Sequence, residues 1–388
     1  DEELGWTNEQ FGLVNSFFQG AYGFGLLFFG WFVDRYGAKI GYTVSIIGWS
    51  IAAMTHSFVG SIGGFMGARA FLGVTEGGNF PSAIKATALW FPKRERAFAT
   101  SIFNAGTNAG PILAPAIVPW IAYSYGWQTT FIVAGVAGFL WLFLWIPYYH
   151  SPEKSKSLSK EEYNFIKSDK DEVETDRKVS WGKLLQYRQT WAYIVAKFLT
   201  DPVWWFFLIW LPDFFKKTRG LDIKQSWIHL VTIYTIVTIL SIAGGWITGH
   251  LTKQGWSVTR ARKTGLFIFA LCVVPILFVA TSGDWVAVLL IGLAGSAHQA
   301  WSANMYTTVS DMFPKYAVGS VIGIGGMAGA TGGMLFPIFT GRLLDSFTAA
   351  GDVSGGYHVL FLICASAYII TFFIHHLIVP KLEQFELK

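Results

Sequence analysis

Charge is scarce in this chain. Of its 388 residues, 14% are Asp, Glu, Lys or Arg, against about 25% in an ordinary soluble domain. Cysteine is nearly absent too. Cys272 and Cys364 both fall in apolar stretches, which argues against a disulfide framework or a thiolate metal site. The sequence opens Asp1-Glu2-Glu3, not with a basic and then apolar signal peptide. No phosphate-binding glycine loop, metal-ligand cluster or catalytic triad can be read from the spacing. No cofactor and no metal are therefore expected, and the chain is not expected to be an enzyme. The net charge of +5 would suggest nucleic acid in a soluble protein. Here basic residues have another use, holding loops on one side of a membrane, so no nucleic-acid partner is expected.

What is abundant is apolar. Hydrophobic residues make up 53% and aromatics 17%, with 42 Gly and 18 Trp; the mean hydropathy is +0.43. Gly lets membrane helices approach closely and Trp favours the headgroup zone. Segments long enough to span a bilayer are predicted at 11–33, 40–57, 61–83, 97–121, 127–149, 191–215, 226–248, 264–281, 285–308, 318–343 and 357–379, about eleven spans. The fold class is therefore an all-α membrane protein in contact with the lipid bilayer. One long polar stretch interrupts the pattern and carries Lys154, Lys156, Lys160, Lys167, Lys170, Arg177, Lys178 and Lys183. It divides the chain into an N-terminal bundle at 1–150, a linker at 151–188 and a C-terminal bundle at 189–388.

Lys and Arg set the expected orientation. Clusters at Arg35/Lys39, Lys93/Arg94/Arg96, the linker and Lys253/Arg260/Arg262/Lys263 fall on one side if the spans alternate. This puts the linker and C-terminus in the cytoplasm and residue 1 outside. Lys216, Lys217 and Arg219 dissent, falling on the outer side.

The two halves repeat. Gly30-Trp31 returns as Gly245-Trp246 at an offset of 215, and Phe91-Pro92-Lys93 as Phe313-Pro314-Lys315 at an offset of 222. Gly110 and Pro115 match Gly332 and Pro337 at the second offset. Parallel repeats of this kind belong to two-bundle transporters that bind substrate at mid-membrane between the halves. The span at 191–215 has its counterpart just upstream of residue 1. The native protein is accordingly expected to have one further opening helix in its first bundle, twelve spans in all.

Several motifs carry chemistry. Gly30-Trp31-Phe32-Val33-Asp34-Arg35-Tyr36-Gly37-Ala38-Lys39 turns from one span into the next on the basic side. There Gly30 allows close packing, Gly37 a tight turn, and Asp34 can accept from a cation or a helix N-terminus. This segment resembles the signature loop of the major facilitator superfamily. The resemblance implies that fold, with two pseudo-symmetric bundles, and a gate latch at Gly30, Asp34, Arg35, Gly37 and Lys39. The second-half counterpart around Gly245 has no acid. Asp311, at another end on the basic side, reads as a further gate residue.

Arg69-Ala-Phe-Leu-Gly73-Val-Thr-Glu76-Gly77-Gly78-Asn79-Phe80-Pro81 places Arg69 and Glu76 two turns apart on one helix face. Ionisable residues inside a span mark a cavity or a structural ion pair. The Arg-x6-Glu-x4-Pro pattern resembles the anion:cation symporter branch of the same superfamily. By that resemblance Arg69 holds a substrate carboxylate and Glu76 takes a coupling proton. Lys197-Phe-Leu-Thr-Asp201-Pro202-Val-Trp204-Trp205, Trp210-Leu-Pro212, Ala297-His298-Gln299-Ala300, Ala83-Ile84-Lys85-Ala86 and Trp90-Phe91-Pro92 resemble bacterial hexuronate permeases over nearly the whole chain. The family's first helix carries an acid-plus-Arg pair at the binding site, and those positions fall upstream of residue 1. A bacterial inner-membrane location follows from the same resemblance.

Other polar groups fit a sugar-acid site. Lys197 and Asp201 lie one turn apart and either line the cavity or satisfy each other near the membrane edge; Asp201 is a second candidate proton carrier. Asn104 and Asn108 share a face and can read hydroxyls. Tyr22 matches a substrate-contact tyrosine of sugar-acid permeases. Trp204, Trp205 and Trp210 either stack on a sugar ring or sit at the interface. His298 and Gln299 lie well inside a span without an evident partner.

These observations predict a monomeric symporter for a small organic anion and protons, the anion being a hexuronate such as glucuronate or galacturonate. A permease for aldonates or aldarates, such as galactonate or glucarate, is the alternative within the class. A nontransporting membrane sensor would need a sizeable signalling domain, and the linker is too short and too charged to be one.

Overall fold

The computed structural model of the chain describes residues 8–155, 157–168, 179–221 and 223–384. The acidic start and the linker cations Lys156, Lys170, Arg177 and Lys178 lie outside the described residues. The first half contains α1 (Asn8–Tyr36), α2 (Ala38–Thr55), α3 (Ile62–Glu76), α4 (Asn79–Trp90), α5 (Lys93–Gly106), α6 (Ala109–Tyr125) and α7 (Trp127–Tyr148). The linker holds short helices α8 (Lys160–Ile166) and α9 (Trp181–Leu184). The second half contains α10 (Arg188–Arg219), α11 (Ile223–Lys253), α12 (Val258–Val273), α13 (Asp284–Met312), α14 (Val318–Ala349) and α15 (Val353–Ile378). Among the described residues, eight helices are long and apolar enough to cross a membrane. Large apolar side chains such as Phe24, Phe143, Ile239 and Leu377 are exposed, as lipid-facing surface requires.

Each predicted span corresponds to helix, with informative differences. The segments predicted at 61–83 and 97–121 are each two helices, broken at Gly77-Gly78 and at Thr107-Asn108. The span predicted at 264–281 is α12 followed by a 3-10 turn at Val274–Phe278. The span predicted at 191–215 runs on to Arg219, so the three dissenting cations form the last turn of α10. Two of them are ion-paired, Lys217 to Asp213 at 2.9 Å and Arg219 to Asp284 at 3.0 Å.

The turn between α1 and α2 needs positive φ, and Gly37 supplies it at 86°. Gly255, in the matching turn of the second half, has φ of 89°. In the linker, Glu153 accepts from Lys167 at 2.9 Å. Burial tends to raise the Glu153 carboxyl, but the Lys167 bond and charge outweigh it and hold the group below the usual carboxylate range.

Glycine decides how helices stack within and between halves. A Cβ on Gly77 would lie 2.4 Å from the Gly25 backbone, and one on Gly73 2.4 Å from the Phe18 carbonyl oxygen, so α1 and α3 touch backbone to backbone. Two further crossings join the halves. At the first, a Cβ on Gly30 of α1 would lie 2.5 Å from the Gly319 oxygen of α14. At the second, a Cβ on Gly245 of α11 would lie 2.0 Å from Ser101 Oγ and 2.6 Å from the Ala97 oxygen of α5. The sequence offsets relate the two crossings: 215 carries Gly30 to Gly245, and 222 carries Ala97 to Gly319. The repeated Gly-Trp pair is thus the point where each bundle leans on the other, with Trp31 and Trp246 turned outward.

Gly245→Val puts branched carbons where Ser101 and the Ala97 carbonyl already lie. It is expected to lose about 1–3 kcal/mol from overpacking, read as a lower midpoint of thermal unfolding in detergent. Trp246→Phe, on the open side of the same turn, is expected to leave that midpoint nearly unchanged.

Candidate functional site

Both helix breaks border one cavity. It measures about 210 Å³ and lies between the halves. The first half contributes Glu76, the last residue of α3, and Asn79 and Phe80 just past the Gly77-Gly78 break. Asn104 and Thr107 come from the second break, and Tyr22 from α1. The second half supplies Lys197, Asp201, Trp204 and Trp205 from α10, and His298, Gln299, Ser302 and Tyr306 from α13.

A glycine stripe on α14 makes room for the α10 side chains. A Cβ on Gly329 would lie 2.2 Å from Asp201 Oδ2, and one on Gly333 2.4 Å from the Trp205 ring. The carboxylate and indole therefore lie flat against α14 at the edge of the cavity.

The charged centre of the site is Lys197. Its Nζ lies 2.8 Å from Asp201 Oδ2, donates to Tyr306 Oη at 3.1 Å, and stands 4.4 Å from the Tyr306 ring centroid. The Lys197–Asp201 pair thus lines the cavity and its members satisfy each other there, rather than near the membrane edge. Glu76 forms no ion pair among the described residues. His298 does have partners: its Nδ1 meets the Tyr368 hydroxyl, and its ring stacks on Trp204 at 5.3 Å with 9° between planes. Asn104 Nδ2 donates to the Gln299 backbone oxygen at 3.1 Å and to its side-chain oxygen, joining the halves across the cavity floor.

Not every predicted site residue reaches this place. Arg69 does not line the cavity. It stands seven residues before Glu76 on α3, about 10 Å farther from the linker side. Asn108 is fully buried, and neither side-chain polar atom has a partner among the described residues, but it too lies outside the lining. Trp210 is likewise absent from the lining.

On the linker side of the cavity the halves are latched. Asp34, at the end of α1, accepts from Lys85 Nζ of α4 at 2.9 Å and from the Gly319 and Ser320 backbone N–H groups at the start of α14. A carboxylate at a helix N-terminus gains from the macrodipole as well as from the hydrogen bonds. Arg96 donates to the Ser310 carbonyl at 2.8 Å. Arg262 pairs with Asp311 at 3.0 Å and donates to the Lys93 carbonyl at 2.8 Å. Of the residues expected to form a gate, Gly30 and Asp34 contact the other half directly, Asp311 holds Arg262, and Gly37 forms the turn after α1. Arg35 is exposed and lies over Trp31 and Tyr36, and Lys39 forms no ion pair among the described residues, so neither joins the halves.

The sequence reading missed Lys85, Arg96 and Arg262 as latch residues, having placed them only in motif matches or basic clusters. Lys85 had a usable signal, a lone cation within an apolar helix. The other two look like ordinary loop-end cations until their burial is seen.

A polar cavity between two pseudo-symmetric bundles, bordered by broken helices, is the architecture of a two-bundle membrane transporter. The comparisons with known proteins agree. The Major Facilitator Superfamily model matches residues 1–337, and the chain belongs to that family. It is 30% identical over 350 residues to the hexuronate transporter of Escherichia coli K12, covering 89% of this chain and 81% of that one. It is 28% identical to the probable galactarate/D-glucarate transporter GarP of the same organism, covering 86% and 80%. The D-galactonate transporter of E. coli O6:H1 is 26% identical, covering 89% and 83%. Among solved structures, the proton:xylose symporter XylE superimposes with a TM-score of 0.70 at 16% identity, covering 96% of this chain and 87% of XylE, which speaks for the fold alone.

Asp34→Asn leaves Lys85 buried beside an uncharged amide. Orphaning a buried ion in this way costs about 3–5 kcal/mol. In a Cys-free background carrying Ser320→Cys, the substitution is expected to raise thiol labelling from the linker side by about tenfold or more. An unchanged rate would mean that the latch does not depend on this pair.

Proposed function

We propose that this chain is a secondary active transporter that imports a sugar acid, a hexuronate such as glucuronate or galacturonate, in symport with protons. One observation carries the reading: Glu76 of one half and the Lys197–Asp201 pair of the other line the same cavity. With all three groups ionised they sum to one negative charge, which repels a carboxylate substrate. Protonation of Glu76 removes that charge. Lys197 can then exchange Asp201 for the substrate carboxylate, a charge-assisted contact. Anion binding and proton uptake thereby favour each other, and the coupling is reciprocal. Asn104, Gln299, Ser302 and Tyr306 offer partners for sugar hydroxyls, and Trp204 and Trp205 offer ring faces.

The linker side carries most of the free Lys and Arg, and we assign it to the cytoplasm of a bacterial inner membrane. The latched linker side then makes this conformation one that receives substrate from outside. Arg69, nearer the outer face, would meet the carboxylate first and pass it to Lys197. A single chain contains both halves of the cavity, so we assign a monomer. One proton with one monoanion moves no net charge. A second proton, with Asp201 as a candidate carrier, would add about 2.3 kcal/mol per 100 mV of membrane potential.

Three measurements in the full-length protein test the reading. Glu76→Gln imitates the protonated state; it is expected to bind and exchange glucuronate across proteoliposomes but not to accumulate it from a pH difference. Full pH-driven accumulation by this variant would place the proton elsewhere. Lys197→Ala and Arg69→Ala are each expected to weaken glucuronate binding by about tenfold or more, the scale of a lost charged hydrogen bond, in calorimetry on folded protein. If Arg69→Ala alone does so, the carboxylate anchor is Arg69. Finally, binding across glucuronate, galacturonate, galactonate and glucarate is expected to be tightest for a uronate. Tightest binding of galactonate or glucarate would favour the aldonate or aldarate reading, for which two of the relatives speak. Binding without any exchange would point to a sensor.

A further inference from the structure

The two crossings that join the halves are alike in backbone and unlike in charge. At the crossing of α1 and α14, Asp34 sits four residues after Gly30 and closes the seam with its carboxylate. The offset of 215 carries Asp34 to Gly249 on α11, which has no side chain to do the same. A Cβ on Gly249 would meet the Arg94 carbonyl oxygen of α5 at 3.2 Å, so the two helices run close together here as well. Over this second seam lies a groove of about 550 Å³.

Cations crowd the linker-side end of the groove. Arg94, His250 and Lys253 line it and are all exposed. Arg94 lies 4.4 Å from the Phe165 ring of α8 and forms no ion pair among the described residues. His250 stacks on Trp246 at 4.8 Å. The one acid in the lining, the half-buried Glu95, is 3.4 Å from the exposed Lys253, a solvent-accessible pair of modest worth. The opposite end is apolar and turned outward, with Phe98, Ile102 and Trp246 each at least 40% exposed. Both helices have their charged ends on the linker side, so the cations lie at headgroup depth and the apolar end beside acyl chains.

We propose that this groove binds an anionic phospholipid, whose phosphate bridges Arg94 and Lys253 and takes the place left by the missing carboxylate of the second latch. Charge complementarity selects an acidic headgroup, and the apolar end distinguishes a lipid from a free anion. Basic pockets between membrane helices at headgroup level are suited to such ligands. The phosphate contacts α5 of one half and α11 of the other. The lipid therefore favours the conformation in which the seam is closed, by binding it more tightly than the open one.

The test uses purified protein and phosphatidylglycerol, without any sugar acid, so that its outcome is independent of the transport reading. Native mass spectrometry and thermal unfolding are run on the wild type and on R94Q/K253Q, with phosphatidylcholine and inorganic phosphate as comparison ligands. The wild type is expected to retain phosphatidylglycerol over phosphatidylcholine and to be stabilised by it. The double variant is expected to bind phosphatidylglycerol roughly tenfold more weakly, given two basic contacts and one opposing acid. E95Q, which removes that acid, is expected to bind at least as well as wild type; it keeps the test informative should the double variant fold poorly. In vesicles, labelling of Ser310→Cys from the linker side is expected to slow when phosphatidylglycerol is added, and not to slow in the double variant. Equal retention of the two lipids by wild type, unchanged binding in R94Q/K253Q, or equal stabilisation by inorganic phosphate would overturn the proposal. Labelling rates indifferent to phosphatidylglycerol would overturn its link to the closed seam.

Discussion

Backbone contact between the two halves is the constraint on which the rest of the structure depends. Gly30 against Gly319, and Gly245 against Ala97 and Ser101, bring opposite bundles together at distances no side chain would allow. Because those contacts lie on the linker side, they close the protein there and leave the cavity between the bundles. They also bring Asp34 within reach of the α14 N-terminus and Arg96 within reach of the Ser310 carbonyl. Charged latch residues act only because glycine has already set the separation.

Within the cavity, the same economy of side-chain volume places chemistry in apolar surroundings. The α14 glycines let Asp201 and Trp205 lie flat, and Asp201 holds Lys197 while Tyr306 satisfies one more of its donors. A cation and a carboxylate so placed are costly to separate without a replacement. A substrate carboxylate is such a replacement, and this links the shape of the helix interface to the chemistry of the ligand. The helix breaks at Gly77-Gly78 and Thr107-Asn108 bring Glu76, Asn79, Asn104 and Thr107 to the opposite wall.

The internal repeat adds an asymmetry. The Gly-Trp crossing brings backbones together in both copies, while the charges around it differ. The first copy keeps its carboxylate and is self-sufficient. In the second, Arg262 and Asp311 form a buried pair, and the surface position is Gly249 beside Arg94, His250 and Lys253, with Glu95 the one acid in the groove. Two seams of similar backbone geometry thus differ in the charge that they present at the surface.

Much of this was legible in sequence because it is local. Apolar runs of span length, a polar linker and the Gly-Trp and Phe-Pro-Lys offsets determine membrane helices in two repeated bundles. The resemblance of the Gly30–Lys39 segment to the family's signature loop implies a latch, and ionisable residues inside apolar runs point to a site. Glu76, Lys197, Asp201, His298 and Gln299 could be singled out because charge and polarity are expensive in a bilayer wherever the partner lies. The partner itself is decided only by tertiary structure. Lys85 for Asp34, Tyr368 for His298, Gln299 for Asn104 and Asp311 for Arg262 are 49 or more residues apart in the chain. The same holds for Arg69, which shares a helix face with Glu76 yet falls outside the cavity. Periodicity fixes direction around one helix, whereas depth relative to a cavity depends on where the other bundle closes.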